Sequence, residues 1–137
     1  MTNAFDFDKF RSFLYEASRT AFLAIQHAHA NEHFYSFALF TSGDMAYVFP
    51  TSSTDERLTQ AAQKYIDKKW DKGRSLQQLR DELKWSPADS PLHTEGKPHF
   101  EAVNVLIEII GDIIDELPDD EFDVFVAQFM SVCVNVL

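Results

Sequence analysis

Residues 34–49 read FYSFALFTSGDMAYVF. This is the one place in the chain where helical periodicity gives way to strand chemistry. Phe34 to Thr41 is an aromatic and apolar run, and Met45 to Phe49 is a second. Ser42-Gly43 between them offers the left-handed backbone that a tight hairpin turn requires. Tyr35, Phe37 and Leu39 alternate with Phe34, Ser36, Ala38 and Phe40, so both faces of the first strand are largely apolar and it is expected to be covered on both sides. Pro50 is expected to end the second strand, since proline cannot donate to a ladder. No third strand is evident. A two-stranded hairpin alone is marginal, so helices must pack on it, and the chain is constrained to an α+β fold: a single domain with a small antiparallel β-hairpin-based sheet packed against about five helices.

The helices follow from apolar spacing. Phe10, Leu14, Ala17, Ala21, Ile25 and Ala28 recur at three and four residues, with Phe13 and Phe22 widening the face and Asp6 and Asp8 in the first turn, where the helix dipole favours acid. This helix is expected to end at Asn31. Ser53-Thr-Asp-Glu56 fits a capping box, opening a helix with Leu58, Ala61, Ala62 and Tyr65 inward and Gly73 as its stop. Ser75 caps a short helix carrying Leu76, Leu79 and Leu83. Pro87 and Pro91 then interrupt helix formation, Trp85 is expected to anchor this crossing to the core, and Pro98 suits the first turn of the next helix. That helix runs HFEAVNVLIEIIGDIIDEL, with Val103, Leu106, Ile107, Ile110, Ile113, Ile114 and Leu117 on a broad face. Pro118 restarts a last helix whose Phe122, Phe125, Phe129, Val132, Cys133 and Val136 face inward.

Composition narrows the function classes. With 137 residues the chain fits one domain, large enough to bury roughly two-thirds of its unfolded surface without disulfides or metal. The single cysteine, Cys133, suits a reducing cytosol. No basic start followed by an apolar run marks a secretory signal, so a cytoplasmic location is expected. Val124 to Leu137 falls short of the roughly 20 residues that span a bilayer, so no membrane association is expected. The formal net charge is −10. Nucleic-acid binding needs a basic face to displace counterions, so this balance argues against nucleic acid and for a basic protein partner.

Few residues carry recognisable chemistry. His29 and His33 are four apart, a spacing that suits metal ligands on a helix, but the helix is expected to break between them and no metal site is assigned. Cys133 lies between valines, where a thiol is inert. No phosphate-binding or nucleophile-elbow glycine pattern occurs, and no cofactor is implied. Trp70 and Trp85 read as half-buried packing rather than ligand shelves. The densest charged feature is Asp112, Asp115, Glu116, Asp119, Asp120, Glu121 and Asp123, seven carboxylates within twelve residues. Part of it serves a helix start; the remainder reads as a docking surface, with Asp115, Glu116, Asp119, Asp120, Glu121 and Asp123 as the partner-binding patch. The alternative is a small-ligand or enzyme site at the irregular loop LKWSPADSPLHTEG, lined by Trp85, Asp89, His93 and Tyr47. Self-association is a further expectation, because the last helix is apolar on most sides.

The strand Phe34 to Thr41, the segment Pro50 to Glu56, and Lys84 to Asp89 followed by Asn104 together resemble the bacterial domain-of-unknown-function family 4303. That family shows a FYAFALYT-like strand, a P…N/S-T-E-E stretch that opens a helix, and an RWSPAEW-Y segment ahead of an asparagine-bearing helix. The chain departs from it at Ser90, where the family has a second tryptophan. The resemblance implies no activity. By analogy, small acidic bacterial proteins of this kind sit beside secreted toxins as immunity proteins. The leading expectation is therefore a non-catalytic acidic protein-binding module, a bacterial immunity protein neutralising a toxin.

Overall fold

A computed structural model of the chain describes residues 5–137. Helix α1 spans Phe7–Ala28, and Asp6 caps it by accepting from the Lys9 amide at 2.9 Å. Phe10, Leu14, Ala17, Ala21 and Ile25 form its buried stripe. The helix ends three residues before Asn31, with His29 as its cap, so Ala28 is exposed rather than inward.

Strands β1 (Phe34–Thr41) and β2 (Val48–Thr54) pair antiparallel, from Thr41 opposite Val48 to Phe34 opposite Thr54, with Tyr35 as an extra residue in β1. Three expectations change here. The connection is not a tight Ser42-Gly43 turn. It runs from residue 42 to 47, Met45 takes the left-handed conformation (φ 57°), and the Ser42 hydroxyl accepts from Ala46 N at 3.0 Å. Pro50 does not end β2 but lies within it, opposite Leu39. In a sheet of two strands every strand is an edge, so a residue without an amide hydrogen is tolerated where its nitrogen points outward. Finally, β2 is the buried strand, while all of β1 is only half-buried.

Helix α2 (Asp55–Asp67) is capped by Thr54, whose hydroxyl accepts from Arg57 N at 3.1 Å. Ser53 stays in the strand, and Glu56 turns away to His33, so the expected capping box does not form. The helix closes well before Gly73. Lys69 adopts φ 59°, Trp70 N donates to Tyr65 O at 2.8 Å and Lys69 N to Ile66 O at 3.0 Å. Those are the two bonds of a Schellman cap, and the Tyr65–Trp70 ring contact at 5.7 Å is its hydrophobic companion. Helix α3 (Leu76–Leu83) carries the capping box between Ser75 and Gln78.

The stretch expected as one helix over residues 99–117 is divided. A 3₁₀ turn at Lys97–Phe100 leads into α4 (Glu101–Ile107), and the chain tightens before α5 (Ile110–Ile114). Helix α6 (Asp119–Asn135) follows Pro118. The main core joins α1, α4, α5 and α6 to Met45 and Val48 of the hairpin; a second, smaller core lies between α2 and α3 with Tyr35.

The loop from Trp85 to Gly96 crosses between these cores. Its anchor is Leu92, 1% exposed, not Trp85, which is 70% exposed and only edges onto Tyr35. Gly96 has φ +91°, and a Cβ there would stand 3.0 Å from Ile25 Cδ1 and 3.2 Å from Ala21 Cβ. The loop therefore returns flush against α1, where only glycine fits.

Candidate functional site

The acidic junction sits where α5 gives way to α6. Pro118 fixes an extended backbone there, and Asp119, Asp120 and Glu121 occupy the first turn of α6, where the helix dipole favours negative charge. Asp112, Asp115, Glu116 and Asp123 join them, and all seven are exposed. Among the described residues none of these carboxylates has an ion-pair partner. The basic residues Lys64, Lys68, Lys69, Lys72 and Arg74 lie in α2 and the turn towards α3, where Arg74 is itself paired with Glu82 at 2.6 Å. The patch is thus a surface of uncompensated charge.

The four loop residues do not share one pocket. Asp89 faces α2, receiving Tyr65 Oη at 2.9 Å and Ser86 Oγ at 2.5 Å. The Tyr65 hydroxyl is accordingly pushed above its ordinary pKa, first by its hydrogen bond to Asp89. His93 faces the hairpin, 3.1 Å from Thr51 Oγ1 and stacked on Phe40 at 4.7 Å. Tyr47 stacks on Phe49 and meets Phe40 edge-on. Only Asp89 lines the groove of about 750 Å³ along α2, with Arg57, Tyr65, Lys68 and Trp70 among its walls. Ser90, where the resemblance expects an aromatic, donates to Ser52 O at 2.7 Å and accepts from Leu92 N at 3.1 Å. A tryptophan there, whose indole N–H can only donate, could not accept from the Leu92 amide.

A polar cluster that the sequence did not reveal joins the end of α1 to α2 and the loop. Glu32 Oε1 accepts from Thr54 Oγ1 at 2.7 Å and from Arg57 Nε at 3.0 Å, while its Oε2 accepts from Arg57 Nη2 at 3.2 Å. The Arg57 bonds hold the Glu32 carboxyl below the usual range against the opposing effect of burial. Both ring nitrogens of His29 face carboxylate oxygens, Glu32 at 2.9 Å and Glu95 at 2.6 Å. The cluster closes over 66 residues of sequence between His29 and Glu95. All its members are spent on one another, which is the arrangement of a structural tie.

His33 is held differently. Glu56 Oε1 accepts from His33 N, and Oε2 lies against His33 Nδ1, each at 2.7 Å. The bond to Glu56 raises the His33 imidazole above 6.5, and the same bond lowers Glu56 from 4.5 to about 2. A raised imidazole stabilises the fold fully below 6.5 and loses its effect as pH climbs through the raised value; the depressed Glu56 acts fully above 4.5 and loses its effect as pH falls towards 2. The pair is therefore strongest between those limits. An NMR titration is expected to place His33 above the ordinary imidazole value, and Glu56→Gln to return it there; an ordinary titration in the native chain would contradict the contact.

Burial pushes the Cys133 thiol up to about 11, which removes it as a nucleophile. No group of three or more His, Cys, Asp or Glu side chains among the described residues is arranged to hold a metal ion. No helix of the described residues is long and apolar enough to cross a membrane. No curated protein and no solved structure matches the chain. The family model for a domain of unknown function, DUF4303, matches residues 14–137, and the chain belongs to that family.

Proposed function

We propose that the protein is a non-catalytic binding module whose acidic end docks a basic protein. The observation that carries this reading is the exposed run Asp112 to Asp123, in which seven carboxylates have no ion-pair partner among the described residues. Such a surface costs the monomer self-repulsion and repays it by steering an oppositely charged partner. The remaining titratable clusters support the same reading, because His29, Glu32, Arg57, Asp89 and His93 are each occupied by structural contacts. A binding module needs surface complementarity and no reacting group. By analogy with small acidic bacterial proteins that neutralise toxins, a toxin encoded beside this chain is the first partner to test.

The test is association of the full chain with that toxin at low and high salt. Asp115→Lys with Glu116→Lys avoids the first turn of α6, so it alters the patch without disturbing the helix start. The double variant is expected to associate about 100-fold more slowly at low salt, with little difference at high salt. Unchanged kinetics would remove the patch from the interface. The second reading, a small-ligand site, is favoured by the groove along α2 that Asp89 lines. A thermal-shift screen with metabolites separates the two readings.

A further inference from the structure

The two edges of the hairpin are finished differently. Asn104 Oδ1 accepts from Val48 N and Asn104 Nδ2 donates to Val48 O, each at 2.9 Å, so both polar groups of Val48 point away from β1. Backbone direction alternates along a strand, so Pro50 and Ser52 point the same way. Pro50 has no amide hydrogen, and Ser52 O is taken by Ser90 Oγ. The outer edge of β2 is thus interrupted at three successive outward positions, by Asn104, a proline and Ser90.

The same alternation fixes β1. Val48, Pro50 and Ser52 lie opposite Thr41, Leu39 and Phe37. At such pairs both residues turn their N–H and C=O outward. Among the described residues no protein group bonds the outward amides and carbonyls of Phe37 and Leu39. Strands left free in this way are usually protected by lysine, proline or a central bulge. FYSFALFT has no charge and no proline, and its extra residue, Tyr35, lies near one end and leaves residues 36–41 in regular register.

We propose that the free edge of β1 pairs with the same edge of a second copy, antiparallel about a two-fold axis at Ala38, joining the two hairpins into one sheet. Charge selects this occupant. Two chains of net charge −10 repel over most approaches. The β1 edge carries no charge, and it continues into an apolar groove of about 510 Å³ lined by Tyr15, Phe22, Leu23, Phe37 and Leu137, where Arg19 is the one charged lining residue. A basic partner gains nothing from such a surface, whereas a second acidic chain is repelled least there. Symmetry makes the edge complementary to itself. With Ala38 on the axis, Phe37 of one copy exchanges backbone hydrogen bonds with Leu39 of the other, and the reverse holds across the axis. Ala38 meets Ala38 at the central non-hydrogen-bonded position, where side chains come closest and a small one is needed.

Sedimentation of the full chain from low micromolar to submillimolar concentration tests this. The wild type is expected to pass from monomer to dimer. Ala38→Lys sets two ammonium groups opposite each other at a half-buried position and is expected to weaken association by about 100-fold or more, with an unchanged melting profile in dilute solution. Ala38→Cys is expected to give a disulfide-linked dimer on mild oxidation, since opposed Cβ atoms in such a pair lie roughly 5 Å apart. The wild type, whose one thiol is buried, is expected to give none. If Ala38→Lys fails to fold, the cysteine variant still reads the register. A wild type that stays monomeric throughout overturns the proposal. So does a dimer that Ala38→Lys leaves intact and Ala38→Cys cannot link, which would assign the contact to the exposed Val124 and Val134 on α6.

Discussion

Replacing Phe129 with alanine is expected to cost about 4 kcal/mol of folding free energy and to lower the melting temperature by about 15 °C for a chain of this length. Phe129 comes from the middle of α6 and stacks on Phe10 of α1, with ring centres 4.8 Å apart and planes inclined by 21°. Neither ring is exposed. The contact joins the first helix to the last, and Phe5 and Phe125 extend the same aromatic cluster. Truncation removes the transfer free energy of a whole ring and leaves a void that close-packed neighbours fill only in part. Val134→Ala is the control. Val134 is 67% exposed on the same helix, and its loss is expected to change stability by less than about 0.5 kcal/mol. Denaturant unfolding monitored by circular dichroism measures both. A cost near that of the control at Phe129 would mean that α6 does not pack as described.

Asn104→Ala is expected to cost about 3 kcal/mol, because it leaves two buried backbone groups without partners. Asn104 serves Val48 as both donor and acceptor, and Val48 is fully buried. The carbonyl of Phe100, which Asn104 Nδ2 also reaches, keeps its ordinary helical bond from the Asn104 amide and is less affected. Asn104→Asp separates the two roles. An aspartate still accepts from Val48 N, but it places a carboxylate oxygen against the carbonyls of Val48 and Phe100. This variant is expected to be less stable than wild type at neutral pH. The protonated acid can donate where the amide did, so its stability is expected to recover as pH falls. A pH series of melting curves for the two variants reads the difference; a flat profile for the aspartate variant would show that its side chain does not point at the strand.

Much of the fold is legible in residue spacing. The three- and four-residue recurrence from Phe10 to Ile25, and from Phe125 to Val132, marks α1 and α6 with their buried faces. The first strand is legible to its end residues, Phe34 and Thr41. What the pattern cannot supply is the choice among equally permitted local structures. Ser42-Gly43 is competent for a tight turn, yet Met45 takes the left-handed position, because a longer connection lets its side chain reach the core at 1% exposure. Pro50 reads as a stop only if β2 has a neighbour on both sides. Glu56 stands at the capping-box position, but a free histidine 23 residues earlier competes for it and wins.

The candidate patch is visible in the sequence because it is local, a run of carboxylates at a helix start. The tie of Glu32, His29, Arg57 and Glu95 is invisible there because its members are separated by up to 66 residues and none stands in a motif. The loop that looks like a site from its composition is chiefly a strap. Its polar groups are consumed by Tyr65, Ser52 and Thr51, and its apolar weight rests on Leu92. Trp85 misleads for a physical reason: its ring meets Tyr35 edge-on and the ammonium group of Lys84 lies over both rings, an arrangement that satisfies an indole at the surface without burying it.

The seal that Asn104, Pro50 and Ser90 place on β2 bears on polymerisation. Sheets become fibres when each added chain presents a fresh edge to the next. Here a chain that joins through β1 presents only β2, a buried strand on which Asn104 takes both polar groups of Val48, Ser90 takes the Ser52 carbonyl and Pro50 has no amide hydrogen to offer. Growth by strand addition therefore stops after one step. An aromatic strand that would be an amyloid hazard in an open sheet is carried by a sheet with a single point of attachment.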